Sequence, residues 1–269
     1  MRPTTPRLFQ AFRTLQHENP LGLPRTGTIP RMQRGLPERR KIRDVAKVVA
    51  VSSAKGGVGK STVAANLSLA FARLGYRSGI LDADIFGPSI PTLFNLSGEP
   101  RLSPSEDAPV VWRGLMVMKA LQQLLHEVDW GGLDVLVLDL PPGTGDTQLS
   151  VTQQVVLDVT TPHTLAVKDA VKGINMFKKV NVPLLGLVQN MSLFNCPHCH
   201  NDTAVFGSNE RVQGICQEHS IELLGDIPLH QSVGDDGQRG KPTVVSEPES
   251  DRAKAFVQIA QQVGSKIGL

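Results

Sequence analysis

The chain has 269 residues, 40% of them hydrophobic and 20% charged, which is enough to bury one substantial core, and no stretch approaches the roughly 18 uninterrupted apolar residues that a membrane-spanning helix needs. The net charge of +3 is uneven: residues 1–43 hold nine Arg and one Lys against Glu18 and Glu38, a local +8 that leaves −5 for the body and no basic excess there for binding nucleic acid. Three cysteines do not make a disulfide framework at this length, so a reducing compartment is expected.

The start of the chain is basic, poor in acids and sprinkled with apolar residues, as in Arg7-Leu8-Phe9-Gln10-Ala11-Phe12-Arg13. That is the composition of a mitochondrial transit peptide, so residues 1–44 are expected to be a leader directing the protein to the mitochondrial matrix, ahead of a folded domain over 45–269. Residues 47–52 then form an apolar run of the length of a buried strand, leading straight into a glycine-rich turn. Helix 61–74 follows, with Val63, Leu67, Ala70 and Leu74 on one face and Gly75 placed to stop it, and strand 79–82 comes next. Residues 112–129 show helical spacing in Leu115, Met118, Leu121, Leu125 and Val128. Residues 133–139 are nearly continuous apolar β-formers, as in a central strand covered on both faces. The alternation continues through strand 155–160, helix 165–180, strand 184–189, helix 209–219, strand 221–224 and helix 250–267. Such alternation predicts an α/β fold, a doubly wound and mostly parallel sheet flanked by helices.

Between the first strand and the first helix lies Ser53-Ala54-Lys55-Gly56-Gly57-Val58-Gly59-Lys60-Ser61-Thr62, in the context that a P-loop requires. The glycines let the backbone turn its N–H groups inward around phosphate oxygens, and the following helix adds the positive end of its dipole. Lys60 then reaches the β- and γ-phosphates and the Ser61 hydroxyl ligates Mg2+, so ATP with magnesium is the expected ligand. Asp82-Ala83-Asp84 follows the second strand, and Asp139 heads the loop Leu140-Pro141-Pro142-Gly143-Thr144-Gly145-Asp146 in the Walker B position, from which it can hold Mg2+ through water. Far downstream, Asn195-Cys196-Pro197-His198-Cys199-His200 carries two thiols three residues apart. By itself this is half a metal site: zinc, a cluster edge and a redox pair all remain open, with His198 and His200 as further zinc donors and Cys216 expected as a buried core cysteine.

Lys55, at the front of the loop, brings in a family. Lys55-Gly56-Gly57-Val58-Gly59-Lys60-Ser61 resembles the deviant Walker A motif of the SIMIBI-class ATPases, which include the MinD and ParA groups. The resemblance implies a nucleotide-sandwich homodimer in which Lys55 crosses to the partner's phosphates and works like an arginine finger. It also implies that Asp84 orients the attacking water, that Asp82 lies near the magnesium, that residues 141–146 sense the γ-phosphate, and that Asn190 contacts adenine. The joint pattern is narrower still: residues 82–89, Trp112-Arg113-Gly114, residues 141–146 and Cys196-Pro197-His198-Cys199 are together similar to the Mrp/Nbp family of iron–sulfur scaffold ATPases. That likeness runs from about Lys47 to the C-terminus. It implies a [4Fe-4S] cluster held between two subunits by Cys196 and Cys199 of each, and apo iron–sulfur proteins as clients. The leader and the wording of residues 110–118 look closest to the mitochondrial branch, which serves respiratory complex I subunits.

The chain departs from that family in three places: a Ser/Pro/Glu-rich stretch between Leu96 and Val110 where an additional strand is usual, a short passage from Gln154 into Val155, and His163 in place of Gln. Two rivals share the P-loop. A ParA/MinD-like switch would want a basic surface or an amphipathic C-terminal anchor, and a zinc-stapled targeting ATPase would want a large helical insertion.

Overall fold

Strands that are aliphatic on both faces tolerate only a sheet covered from both sides. The computed structural model has that architecture, and it describes residues 41–85, 87–97, 114–143, 154–196, 198–199 and 201–269. Among these, the strands are β1 (Val45–Ser52), β2 (Ser78–Asp82), β3 (Leu133–Asp139), β4 (Val155–Thr160), β5 (Leu184–Asn195), β6 (Asp202–Thr203) and β7 (Leu223–Leu229). The helices are α1 (Lys60–Arg73), α2 (Ile90–Leu93), α3 (Gly114–His126), α4 (Thr164–Lys179), α5 (Glu210–His219), α6 (Gln231–Gln238), α7 (Thr243–Ser246) and α8 (Asp251–Ile267).

The sheet runs β2-β3-β1-β4-β5, with β7 on the outer edge of β5, and every one of these pairings is parallel. Only the two-residue β6 is antiparallel, against the end of β5. On one face, Val63, Leu67 and Phe71 of α1 and Phe256, Ile259 and Val263 of α8 pack on Val49, Val51, Val137 and Val188. On the other, Leu121 and Leu125 of α3 and Phe177 of α4 cover Ala50, Leu136, Leu138 and Val156, while α4 and α5 enclose Leu187. Each fully buried side chain of this size stabilises the fold by about 1.5–3 kcal/mol relative to leaving it in water. At Gly225 a Cβ would lie 2.3 Å from Ile259 Cγ1, so the absence of a side chain is what lets α8 sit so close on β7.

The expected elements are present with shifted ends. β5 continues to Asn195, past its expected end at 189, because β7 and β6 supply ladder partners for its second half. β7 runs from Leu223 to Leu229 rather than over 221–224, and as an edge strand it accommodates Pro228. The helix read over 112–129 is Gly114–His126. The expected leader up to residue 40 and the Ser/Pro/Glu-rich stretch over 98–113 lie outside the described residues.

Candidate nucleotide and thiol sites

The C-terminal ends of β1, β2 and β3 are adjacent, and the loops that leave them meet at the N-terminus of α1. Gly59 enters α1 with φ 83, a left-handed backbone that glycine adopts without strain. Lys60, buried at 6% exposure, points its ammonium at Asp139 Oδ1, which is fully buried, and lies 3.2 Å from Ser61 Oγ. Burial pushes the Asp139 carboxyl up, and the Lys60 ammonium pulls it back down. Its other oxygen, Oδ2, is buried with no hydrogen-bond partner. A buried carboxylate oxygen with spare acceptor capacity beside a serine hydroxyl is a donor set that fits a hard, oxygen-seeking cation such as Mg2+.

Lys55, Gly56, Gly57, Gly59, Lys60, Ser61, Thr62 and Asp84 line one cavity of about 510 Å³, so the structure brings most of the expected nucleotide residues together. Val58 turns its side chain into the core, and its carbonyl accepts from Asn190 Nδ2 at 2.8 Å. Asn190 therefore braces the loop from behind and is not among the cavity-lining residues. Asp82 is likewise set back: its carboxylate accepts the backbone N–H groups of Asp84, Ser89 and Ile90 at 2.8–2.9 Å, holding the loop that carries Asp84. It is still close enough to Asp139 to raise that carboxyl's pKa. The Gly143 N–H donates to Ser53 O, tying the start of the expected γ-phosphate loop to the phosphate loop, while residues 144–146 lie outside the described set.

Sequence reasoning missed the far wall. Val233, Gly234, Gly237 and Gln238 of α6 and Thr92 and Leu93 of α2 complete the cavity. Two glycines in an eight-residue helix leave no propensity or periodicity to find, and packing against α2 and α7, with Thr243 Oγ1 donating to Asp236, holds it there. It also missed Asp158, which is fully buried between Ser52 of β1 and Leu187 of β5 and beneath Gly173 of α4. Neither of its oxygens makes a hydrogen bond of good geometry, and although the Val159 N–H offsets it slightly, desolvation drives its pKa to about 8.

Cys196 and Cys199 stand apart from the cavity, on a hairpin closed by Asn195↔Asp202 pairing and by the Cys196 N–H donating to Asn201 O at 3.1 Å. The N–H groups of Cys199 and His198, and then the Cys199 thiol, point at the Cys196 sulfur and lower its pKa, favouring the thiolate that binds metal. Cys199 is exposed, whereas Cys216 is buried in the α4–α5 cluster, as expected. Among the described residues no helix is long and apolar enough to cross a membrane.

The ParA family model of NUBPL iron-transfer P-loop NTPases matches residues 44–104 and 100–264 of this chain. The iron-sulfur cluster transfer protein NUBPL of Mus musculus is 48% identical over 259 residues, covering 86% of this chain and 81% of that protein. The iron-sulfur protein required for NADH dehydrogenase, mitochondrial, of Arabidopsis thaliana is 42% identical over 249 residues, covering 83% and 79%. Among solved structures, the nucleotide-binding protein of Archaeoglobus fulgidus in complex with ADP matches with a TM-score of 0.63 at 34% identity, covering 79% of this chain and 93% of that one.

Proposed function

The chain belongs to the NUBPL iron-transfer P-loop NTPases of the ParA family, and from that premise we propose that it is an ATP-dependent carrier that takes up an iron–sulfur cluster and delivers it to apo iron–sulfur proteins. One observation carries this reading: a single sheet bears both a phosphate loop and an exposed hairpin whose Cys196 is already biased toward thiolate.

The cargo is a [4Fe-4S] cluster bridging two copies of the chain. Such a cluster takes four thiolates. Each chain has three cysteines, and Cys216 on α5 is buried against α4, so the hairpins of two protomers together supply the set through Cys196 and Cys199. Release is a ligand exchange: client thiolates replace Cys196 and Cys199 on iron one for one, and the protons that the client thiols give up return to the departing cysteines. Exposed thiols suit a cargo that must leave.

ATP binding closes the homodimer. Lys60 and the loop N–H groups of Gly56 to Thr62 hold the phosphates, and Ser61 and, through water, Asp139 would hold Mg2+, which would supply positive charge against the phosphates. Lys55 reaches the partner's nucleotide, Asp84 orients water for slow hydrolysis, Asp82 fixes the Asp84 loop beside the magnesium site, and Asn190 holds the phosphate loop from behind through Val58. The basic leader over 1–44 and the mitochondrial relative required for NADH dehydrogenase support a matrix location for the domain over 45–269, with complex I subunits as clients.

Anaerobic reconstitution with iron and sulfide tests the proposal. A brown dimer with about four irons per two chains is expected. A colourless protein holding zinc or no metal would remove the carrier function and leave an ATP switch with a structural hairpin.

A further inference from the structure

We infer that Met191 is a positioning residue that couples the phosphate loop to the cysteine hairpin through β5, an inference that rests on the reading of a nucleotide-controlled cluster carrier. Successive side chains of a strand point to opposite faces. Asn190 and Met191 are consecutive in β5, yet both meet the phosphate loop. Asn190 Nδ2 donates to Val58 O at 2.8 Å, and a Cβ built on Gly59 would lie 2.2 Å from Asn190 Nδ2 and 3.5 Å from Met191 Cε.

The backbone explains this. Met191 has φ 55, in the left-handed region. Among the described residues, the other non-glycine residues in that region are Asp44, Asn95, Asn181 and Ser220, short polar types that tolerate it more readily than a methionine. A strained conformation of this kind persists only where its surroundings over-determine it. Here the twist turns two neighbouring side chains onto Val58–Gly59, and it coincides with a slip in the register against β7 between Asn190 and Phe194.

Beyond the twist the strand is tied down residue by residue. Ser192 Oγ donates to Ile227 O, Phe194 and Asn195 pair with Thr203 and Asp202, and the Cys196 N–H donates to Asn201 O. Five residues, about 16 Å of extended chain, separate Met191 from the first thiol. Met191 does not line the nucleotide cavity, so it bears on the loop and not on the ligand. When Val58–Gly59 shifts on phosphate binding, the displacement is handed to β5 through these two side chains and arrives at the hairpin that spaces the thiols.

The test follows the loss of cluster absorbance from the anaerobically loaded full chain under a chelator challenge, with and without magnesium and a non-hydrolysable ATP analogue. The wild-type rates should differ several-fold between the two conditions. In Met191→Gly, which relaxes the left-handed backbone and removes the side chain that lies beside Gly59, the ratio should fall to near one with iron content and nucleotide affinity unchanged. Met191→Leu, which keeps a side chain of similar volume against Gly59, should retain the ratio. A glycine variant with the full wild-type ratio would overturn the coupling role alone, and one that loses nucleotide affinity would overturn it by making Met191 part of the nucleotide site. A wild-type ratio of one would instead remove nucleotide control of the cargo, and with it the reading on which the inference stands.

Discussion

At the base of the phosphate loop, Lys60 and Asp139 are buried at 6% and 0% exposure and paired with each other, with Ser61 Oγ against the Lys60 ammonium and the Gly143–Ser53 bond tying the neighbouring loops. At the cysteine hairpin, Cys199 is exposed, and two ladder pairs, the Asn195–Asp202 side-chain bond and one backbone bond at Cys196 close the structure. The first environment gives fixed charges a low dielectric in which to act on phosphate. The second leaves thiols accessible, as ligand exchange requires. On the proposed reading the nucleotide site is built into the core while the cargo site hangs from the end of a strand, and substitutions in the two regions should separate stability from cargo.

The largest effect is expected from Lys60→Ala. It strips a buried carboxylate of its partner, which should lower unfolding stability by about 3–5 kcal/mol, less whatever protonation of Asp139 relieves. It should also weaken ATP binding by roughly 100-fold, since charge-assisted hydrogen bonds to phosphate are lost. Calorimetric titration and denaturant unfolding check both, and unchanged ATP affinity would break the assignment of the loop.

Next comes Asp158, which sharpens the buried side of the comparison without touching a ligand. Its folded pKa of about 8 lies above the value of about 3.9 for an unfolded aspartate, so the folded state binds the extra proton between those limits. The contribution of this group to stability is therefore full below about pH 4 and is lost as pH rises toward 8, about 4 kcal/mol of it by pH 7. Asp158→Asn should flatten that dependence and raise Tm at pH 7. Parallel pH profiles for the two proteins would show that the carboxyl is not desolvated as the fold implies.

The smallest structural effect is expected at the hairpin. Cys196→Ser should leave Tm and ATP affinity unchanged while the iron content after reconstitution falls to background. Full cluster retention in that variant would break the bridging arrangement, and a large drop in Tm would make the hairpin a structural element.

Much of the nucleotide site was legible because its chemistry is local. Lys55 to Thr62 is one contiguous segment between a strand and a helix, and carboxylates at the ends of β2 and β3 must fall near it once the sheet is parallel. The α6 wall was not legible, since Gln231–Gln238 has a composition that forms helix only under tertiary contact. The length of β5 was also hidden: its second half mixes polar and apolar residues and turns left-handed at Met191, and its ladder partners come from β6 and β7, later in the chain. Asp158 read as part of an apolar strand, and nothing in its neighbours reveals an orphaned carboxyl.

By itself, the sequence determined the element types, the parallel sheet, the phosphate loop with its two lysines, and the presence of two thiols three apart, because propensity, periodicity and motif spacing act over a few residues. Only the tertiary structure decided that Asp82 holds a loop, that Asn190 braces Val58 and Met191 lies beside Gly59, that Asp158 is fully buried with only a weak offset from the Val159 N–H, and that the thiols stand clear of the nucleotide cavity. These depend on which distant segments become neighbours and on how far water is excluded between them, and both are properties of the packed chain.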